Sequence, residues 1–278
     1  MSKKQWKYKK FLRKKCGTEV WVLQNRRGIE GYFKFLVAQK RTQRIMVANE
    51  YIGAALAKLV GLPTAKVKKI SATGRKGQKR AGLVSVSANA QEVITWREAN
   101  DKIHDHPEKY LEQSHLLPQI IVFDAWILNP DRTNRNIILY RNTPQERYKW
   151  YLIDHGAALF GTPAQWKLKR AKMVYGNKSK ITLAMHSRKK DVLKVPKGLK
   201  YFSYAHIQEM QEMVRKIQAI SPVAISKSLK KVPKRYLKRS EKTYMKKILL
   251  SRQRQIQQIY DVVLKRIRPK GFHLFLRR

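Results

Sequence analysis

The chain has 278 residues, with 62 Lys and Arg against 18 Asp and Glu, a net charge of +44. At 43% hydrophobic and 10% aromatic residues it holds enough apolar material for a sizeable core, which excludes a chain kept disordered by charge. One cysteine, Cys16, excludes a disulfide scaffold and a Cys-rich zinc site and suits a reducing compartment.

The longest apolar stretches are interrupted, by Lys58 within 51–62 and by Asp124 within 116–128, so no transmembrane span is expected. Residues 1–15 are rich in Lys and Arg, and no apolar run follows, unlike a secretory signal. A cytoplasmic protein is expected. Basic residues crowd 1–15, 166–200 and 227–247. A field of this size attracts nucleic acid, nucleotide phosphates, acidic proteins or an anionic surface, although charge spread so widely also describes a protein with simply solvated lysines.

In chain order, 19–24 (Glu-Val-Trp-Val-Leu-Gln) predicts a strand, 25–28 a turn and 31–37 a returning strand carrying Lys34. Apolar residues at helical spacing predict a helix over 45–60, stopped by Gly61 and Pro63. Strands are predicted at 65–71 and 82–87. A polar region, 90–114, leads to an apolar helix over about 116–129 that Pro130 closes. A hairpin follows, with arms 137–141 and 149–153. Helices are predicted at about 204–219, 223–231 and 239–266. The fold class is α+β, in three parts: a basic N-terminal arm at 1–16, a small β-rich lobe at 17–88, and a mainly helical lobe at 89–278.

The scarce acids mark the chemistry. Asn136 immediately precedes the first arm of the hairpin and Asp154 immediately follows the second, so an antiparallel pairing returns them to one end. Asp131 lies one short loop away. Two carboxylates and an amide are hard oxygen ligands of the kind that suit Mg²⁺ held together with substrate phosphates. A remaining carboxylate, Asp131, is placed to take a proton from an incoming hydroxyl. Asp-x-x-x-x-Asn, a hairpin, then Asp-x-Gly follows the logic of phosphoryl transfer. In the first lobe Lys34 alternates with Phe33 and Phe35 and so faces away from them, while Glu50 lies on the next helix; a Lys–Glu pair of this kind holds an ammonium against phosphates. Gly17 stands where a phosphate-covering loop would be, without a Gly-x-Gly-x-x-Gly pattern.

These residues resemble a known family. Tyr-Phe-Lys34-Phe and Ala48-Asn-Glu50-Tyr-Ile-Gly-Ala-Ala-Leu are similar to the first lobe of HipA-like kinases. Asn129-Pro-Asp131-Arg-Thr-Asn-Arg-Asn136 resembles their catalytic loop, with Thr133 where relatives often carry His, and Ile153-Asp154-His-Gly resembles their metal-binding segment. Similar loops occur in phosphatidylinositol-kinase-like folds. The resemblance implies a bilobal kinase-like fold, ATP as phosphoryl donor and Mg²⁺ as cofactor. It implies Asp131 as catalytic base, Asn136 and Asp154 as metal ligands, and Lys34 with Glu50 as the phosphate-anchoring pair. A protein Ser or Thr is the implied acceptor, and an antitoxin-type regulator an implied partner.

Two alternatives stay open. One is a kinase-derived polyanion-binding protein without turnover, the other a lipid or small-molecule kinase. His104-x-His106 reads as an exposed helix surface rather than a metal site, and Cys16 as incidental. Thr162, Ser179 and Ser187 are candidates for self-phosphorylation.

Overall fold

The structure, a computed structural model, describes residues 6–12, 19–35, 43–159, 186–187, 190–191 and 195–268. Gly17, Cys16, Thr162 and Ser179 lie outside them.

The first lobe is an antiparallel sheet of β1 (Lys7–Leu12), β2 (Val20–Gln24), β3 (Glu30–Phe35), β4 (Lys66–Thr73) and β5 (Lys79–Val86), in the order β1-β2-β3-β5-β4. β1 falls within the segment read as a basic arm. Its charged residues hide the strand from periodicity, yet Trp6 beside it is buried against Trp21, Leu23, Phe33, Phe35, Ala72 and Val84 on one face of the sheet. Helix α1 (Gln43–Leu59) covers the other face, and its apolar side joins the main core. The sheet is tight at Gly82: a Cβ there would lie 2.2 Å from the Lys34 carbonyl oxygen, so only glycine lets β5 run this close to β3.

The region 90–114 contains more order than its polarity suggests. β6 (Glu92–Thr95) pairs with β7 (Ile137–Arg141), which pairs with β8 (Lys149–Leu152). The β-branched run Val93-Ile94-Thr95 is the signal for β6. Two short helices, α2 (Asp101–Asp105) and α3 (Pro107–Tyr110), follow it. His104 is buried, contrary to the expected exposure: its Nε2 lies 2.8 Å from the Trp96 carbonyl oxygen and its ring packs on that indole. His106 is exposed.

Helix α4 (Leu117–Trp126) is buried along all ten of its residues and forms the axis of the second lobe. Around it lie α5 (Leu199–Ala205), α6 (Ile207–Gln218), α8 (Arg239–Arg254) and α9 (Ile256–Ile267), while α7 (Pro222–Lys230) packs on α1 and α8. The last two form one continuous apolar stripe in sequence, yet the helix breaks at Gln255. The cause is tertiary. Buried Arg252 donates to the carbonyls of Ala125 and Trp126 at the end of α4, and Gln253 donates to those of Ile217 in the last turn of α6 and Ile220 just after it. These side chains add donors to carbonyls at the two helix ends and tie down the last turn of α8. The 204–219 segment likewise divides at His206.

The lobes touch through α1. Arg44 donates through both terminal nitrogens to the Glu241 carboxylate on α8, and at 3.0 Å to the Tyr236 carbonyl. Among the described residues no helix is long and apolar enough to cross a membrane.

Candidate active site

Lys34 sits on β3, opposite Val20 of β2 and Leu83 of β5. Strand alternation sends Phe33 and Phe35 into the aromatic cluster and Lys34 to the other face, where it is only 8% exposed. Its Nζ lies 2.6 Å from Glu50 Oε2 and 2.7 Å from Asp154 Oδ1. Glu50, 2% exposed in the middle of α1, uses its other oxygen to accept from the Asp154 backbone N–H at 3.1 Å. One glutamate thus fixes both the ammonium and the start of the Asp-His-Gly segment. Burial pushes Lys34 toward neutrality, but the charges of Asp154 and Glu50 outweigh it and hold the ammonium above its ordinary pKa.

Asp154 has φ of +60°, in the left-handed region that favours Gly, Asn and Asp. The chain leaves β8 through Ile153, whose N–H donates to the Asn136 carbonyl at 3.0 Å. The hairpin therefore closes as the pairing of β7 with β8 requires, with Asn136 at one side of its mouth and Asp154 at the other. The Asn136 side chain donates from Nδ2 to the Asp131 carbonyl at 2.6 Å, so its amide oxygen is left as an acceptor. The structure thus brings Lys34, Glu50 and Asp154 into direct contact, and ties Asp131 to Asn136. Asp131 is partly exposed, in the loop between α4 and β7.

A second layer was missed from sequence. Arg132, 1% exposed, makes a two-pronged pair with Asp124 of α4, at 2.7 Å and 3.0 Å. Its Nη1 donates to the Asn136 carbonyl at 3.1 Å and to the Ile153 carbonyl at 2.8 Å. One planar guanidinium therefore gathers the residue before β7 and the residue before Asp154. Asn129 adds a bond from Nδ2 to Asp124 at 2.8 Å. The available signal was Asp124 itself, a lone acid inside an apolar helix, which needs a buried partner.

His155 is 1% exposed and stacks edge-on to Phe123. Burial first, then the charge of Arg132, pushes its pKa down to about 3, so the ring is neutral near pH 7. Gly53 on α1 faces it: a Cβ there would fall 2.3 Å from His155 Cβ. Asn49, one residue before Glu50, donates to the Ala158 carbonyl. Helix α1 is thus seated directly on the segment that carries Asp154.

Among the described residues no three His, Cys, Asp or Glu side chains converge as a cage. An amide oxygen and one carboxylate at a hairpin mouth are instead the sparse, hard set that suits Mg²⁺ completed by phosphates and water.

A β-rich lobe, a helical lobe and a lysine held between two acids where they meet define a kinase-like fold. It is similar over its length to the proinflammatory kinase CtkA of Helicobacter pylori, with a TM-score of 0.61 and 15% identity over 95% of each chain. HipA of Shewanella oneidensis MR-1, in its complex with HipB and operator DNA, aligns over 84% of this chain and 60% of its own, with a TM-score of 0.47 and 15% identity. No curated protein sequence matches. The sequence profile of the HipA-like kinases matches residues 27–202, more than half of the chain, and the chain belongs to that family.

Proposed function

We propose that the protein transfers the γ-phosphoryl group of ATP to a hydroxyl, of Ser or Thr on a protein. The observation that carries this reading is the Lys34 ammonium shared by Glu50 and Asp154 at the mouth of the hairpin that Asn136 opens. In the proposed reaction Lys34, oriented by Glu50, binds the phosphates. Asp131 accepts the proton of the acceptor hydroxyl as its oxygen bonds to the γ-phosphorus. The bond to the β-phosphate oxygen breaks and ADP leaves. Asn136 and Asp154 are the residues that would hold Mg²⁺, which when bound neutralises charge on the phosphate oxygens. Arg132 holds the loop so that Asp131, Asn136 and Asp154 keep one geometry, and positioning of this kind supplies much of the rate.

The sheet lobe, 17–88, is proposed to cover the nucleotide, and residues 89–278 to carry the catalytic loop. Family membership supports a protein regulator of antitoxin type as a partner, and a single cysteine suits action in the cytoplasm.

Incubation with labelled ATP, Mg²⁺ and a lysate tests the reading. Wild type is expected to label protein Ser or Thr. Asp131→Ala is expected to lose about 10²–10⁴-fold of that activity, the range of a general base, with an unchanged unfolding temperature. Normal transfer by the variant removes Asp131 from the role. Label found only in lipid or small molecules replaces the acceptor class and leaves the kinase reading standing.

A further inference from the structure

A second charged feature lies away from the cleft, where strand β4 meets the end of α7. The ammonium of Lys69, on β4, reaches the Lys231 carbonyl. That of Lys242, on α8, reaches the Val232 carbonyl and, at 3.3 Å, the Lys230 carbonyl. Two cations from different lobes thus converge on one helix C-terminus. Those carbonyls and the helix dipole account for Lys69 and Lys242.

They do not account for the rest. Lys231, Lys234 and Arg235 are exposed and add three further charges to an end already capped twice. Burial together with Arg235 and Lys231 holds the Lys69 ammonium below its ordinary pKa, and burial together with Lys69 and Lys234 does the same to Lys242. Lys69 thus feels Arg235 and Lys231, and Lys242 feels Lys69 and Lys234, so the five cations form one cluster around this helix end. Local sequence supplies no relief: no acid occurs between Glu50 and Glu92, or between Glu212 and Glu241. Glu241, the nearest in sequence, is engaged by Arg44. Among the described residues neither Lys231, Lys234 nor Arg235 pairs with a carboxylate.

We propose that Lys69, Lys231, Lys234, Arg235 and Lys242 form a docking surface for the phosphodiester backbone of a nucleic acid. A string of phosphates matches a cluster of point charges carried on several elements, and neutralising those phosphates releases the cations that the nucleic acid itself condenses. An acidic protein is the weaker match. Protein interfaces place aromatic or aliphatic anchors at their centre, and this surface offers lysines and an arginine, with Tyr236 buried beneath. Readout is of the backbone and not of base sequence, since positioning contacts to phosphate carry no sequence information. The proposal is independent of phosphoryl transfer.

The test uses the full chain and two fluorescein-labelled probes of about 20 nucleotides per strand, a mixed-sequence DNA duplex and a single-stranded RNA, at ~0.15 M salt. The variant reverses Lys231, Lys234 and Arg235 to Glu and spares the two helix-capping lysines. A matched control reverses Arg75, Lys76 and Lys79 around the β4–β5 turn, for the same change in net charge. The cluster variant is expected to lose about 10-fold or more in affinity for at least one probe, and to flatten the salt dependence by roughly one unit of slope for each phosphate contact removed. The control is expected to lose no more than about 2-fold. Preference between the probes tells which nucleic acid is the ligand. Equal losses in both variants would overturn the proposal, because bulk charge would then suffice. So would failure of wild type to bind either probe, or tighter cluster-dependent binding of polyglutamate than of both nucleic acids. Circular dichroism checks the fold, and the corresponding triple alanine variant replaces the reversal if that does not fold.

Discussion

Asp154 and Lys34 answer substitution in opposite ways, although they touch. Asp154→Asn keeps a residue that tolerates the left-handed backbone at this position and leaves Lys34 its bond to Glu50. It removes one proposed metal-binding charge. Phosphoryl transfer is expected to collapse while the unfolding temperature stays near that of wild type. Lys34→Met leaves Glu50, 2% exposed, and Asp154 facing each other without their cation. Breaking a buried pair from one side costs about 3–5 kcal/mol, so this variant is expected to be both inactive and clearly less stable by denaturant titration. Equal stability of the two variants would mean that Lys34 matters only for the nucleotide and not for the fold.

At the scale of elements, the seat of α1 on the Asp-His-Gly segment decides how well the site is held. Gly53→Ala drives a methyl group to 2.3 Å from His155 Cβ, so the helix or the segment must move. Overpacking of this kind costs about 1–3 kcal/mol. Because Glu50 lies one turn earlier on the same helix, activity is expected to fall further than stability does, which paired kinetic and thermal measurements would read. Much of this arrangement was legible in the sequence. Alternation around Lys34, the spacing from Asn136 to Asp154 across a hairpin, and the helix carrying Glu50 each follow from local periodicity. What stayed hidden depends on tertiary contacts. Arg132 could be read as one more basic residue until Asp124 comes beside it. The lysines of β1 mask it, and β6 is only four residues long within a polar region; each is held as a strand by its pairing with a neighbour. The break at Gln255 has no Gly or Pro to announce it and comes from carbonyls contributed by the end of α4, the last turn of α6 and the turn that follows it.

For the whole molecule, the link between lobes is chemical as well as steric. Arg44 of α1 grips Glu241 of α8, with both side chains largely buried. Burial alone would raise the Glu241 pKa, but the bonds from Arg44 and from the Lys238 backbone outweigh it and hold the carboxyl below its ordinary 4.5. A carboxyl whose folded pKa is depressed contributes stability that is fully present above the unfolded value and is lost as pH falls through the folded one. Glu241→Gln is therefore expected to destabilise the protein by roughly 1–3 kcal/mol at neutral pH, as for a hydrogen-bonded charge. The gap to wild type should narrow as pH drops below 4.5. A gap that stays constant into acid would show that the bridge contributes through packing alone.

The doubly held Lys34 has one more consequence. Two carboxylates, Glu50 and Asp154, share the single Lys34 ammonium, so this contact carries net negative charge inside a molecule whose overall charge is +44. Long-range capture and local admission are thereby expected to separate. The outer field attracts a polyphosphate, while the two carboxylates are expected to repel one that arrives without its own divalent counterion. Thermal shifts should reveal this gatekeeping: ATP with EDTA is expected to protect the protein only slightly, ATP with Mg²⁺ strongly, and equal protection would mean that the carboxylate pair does not discriminate between them.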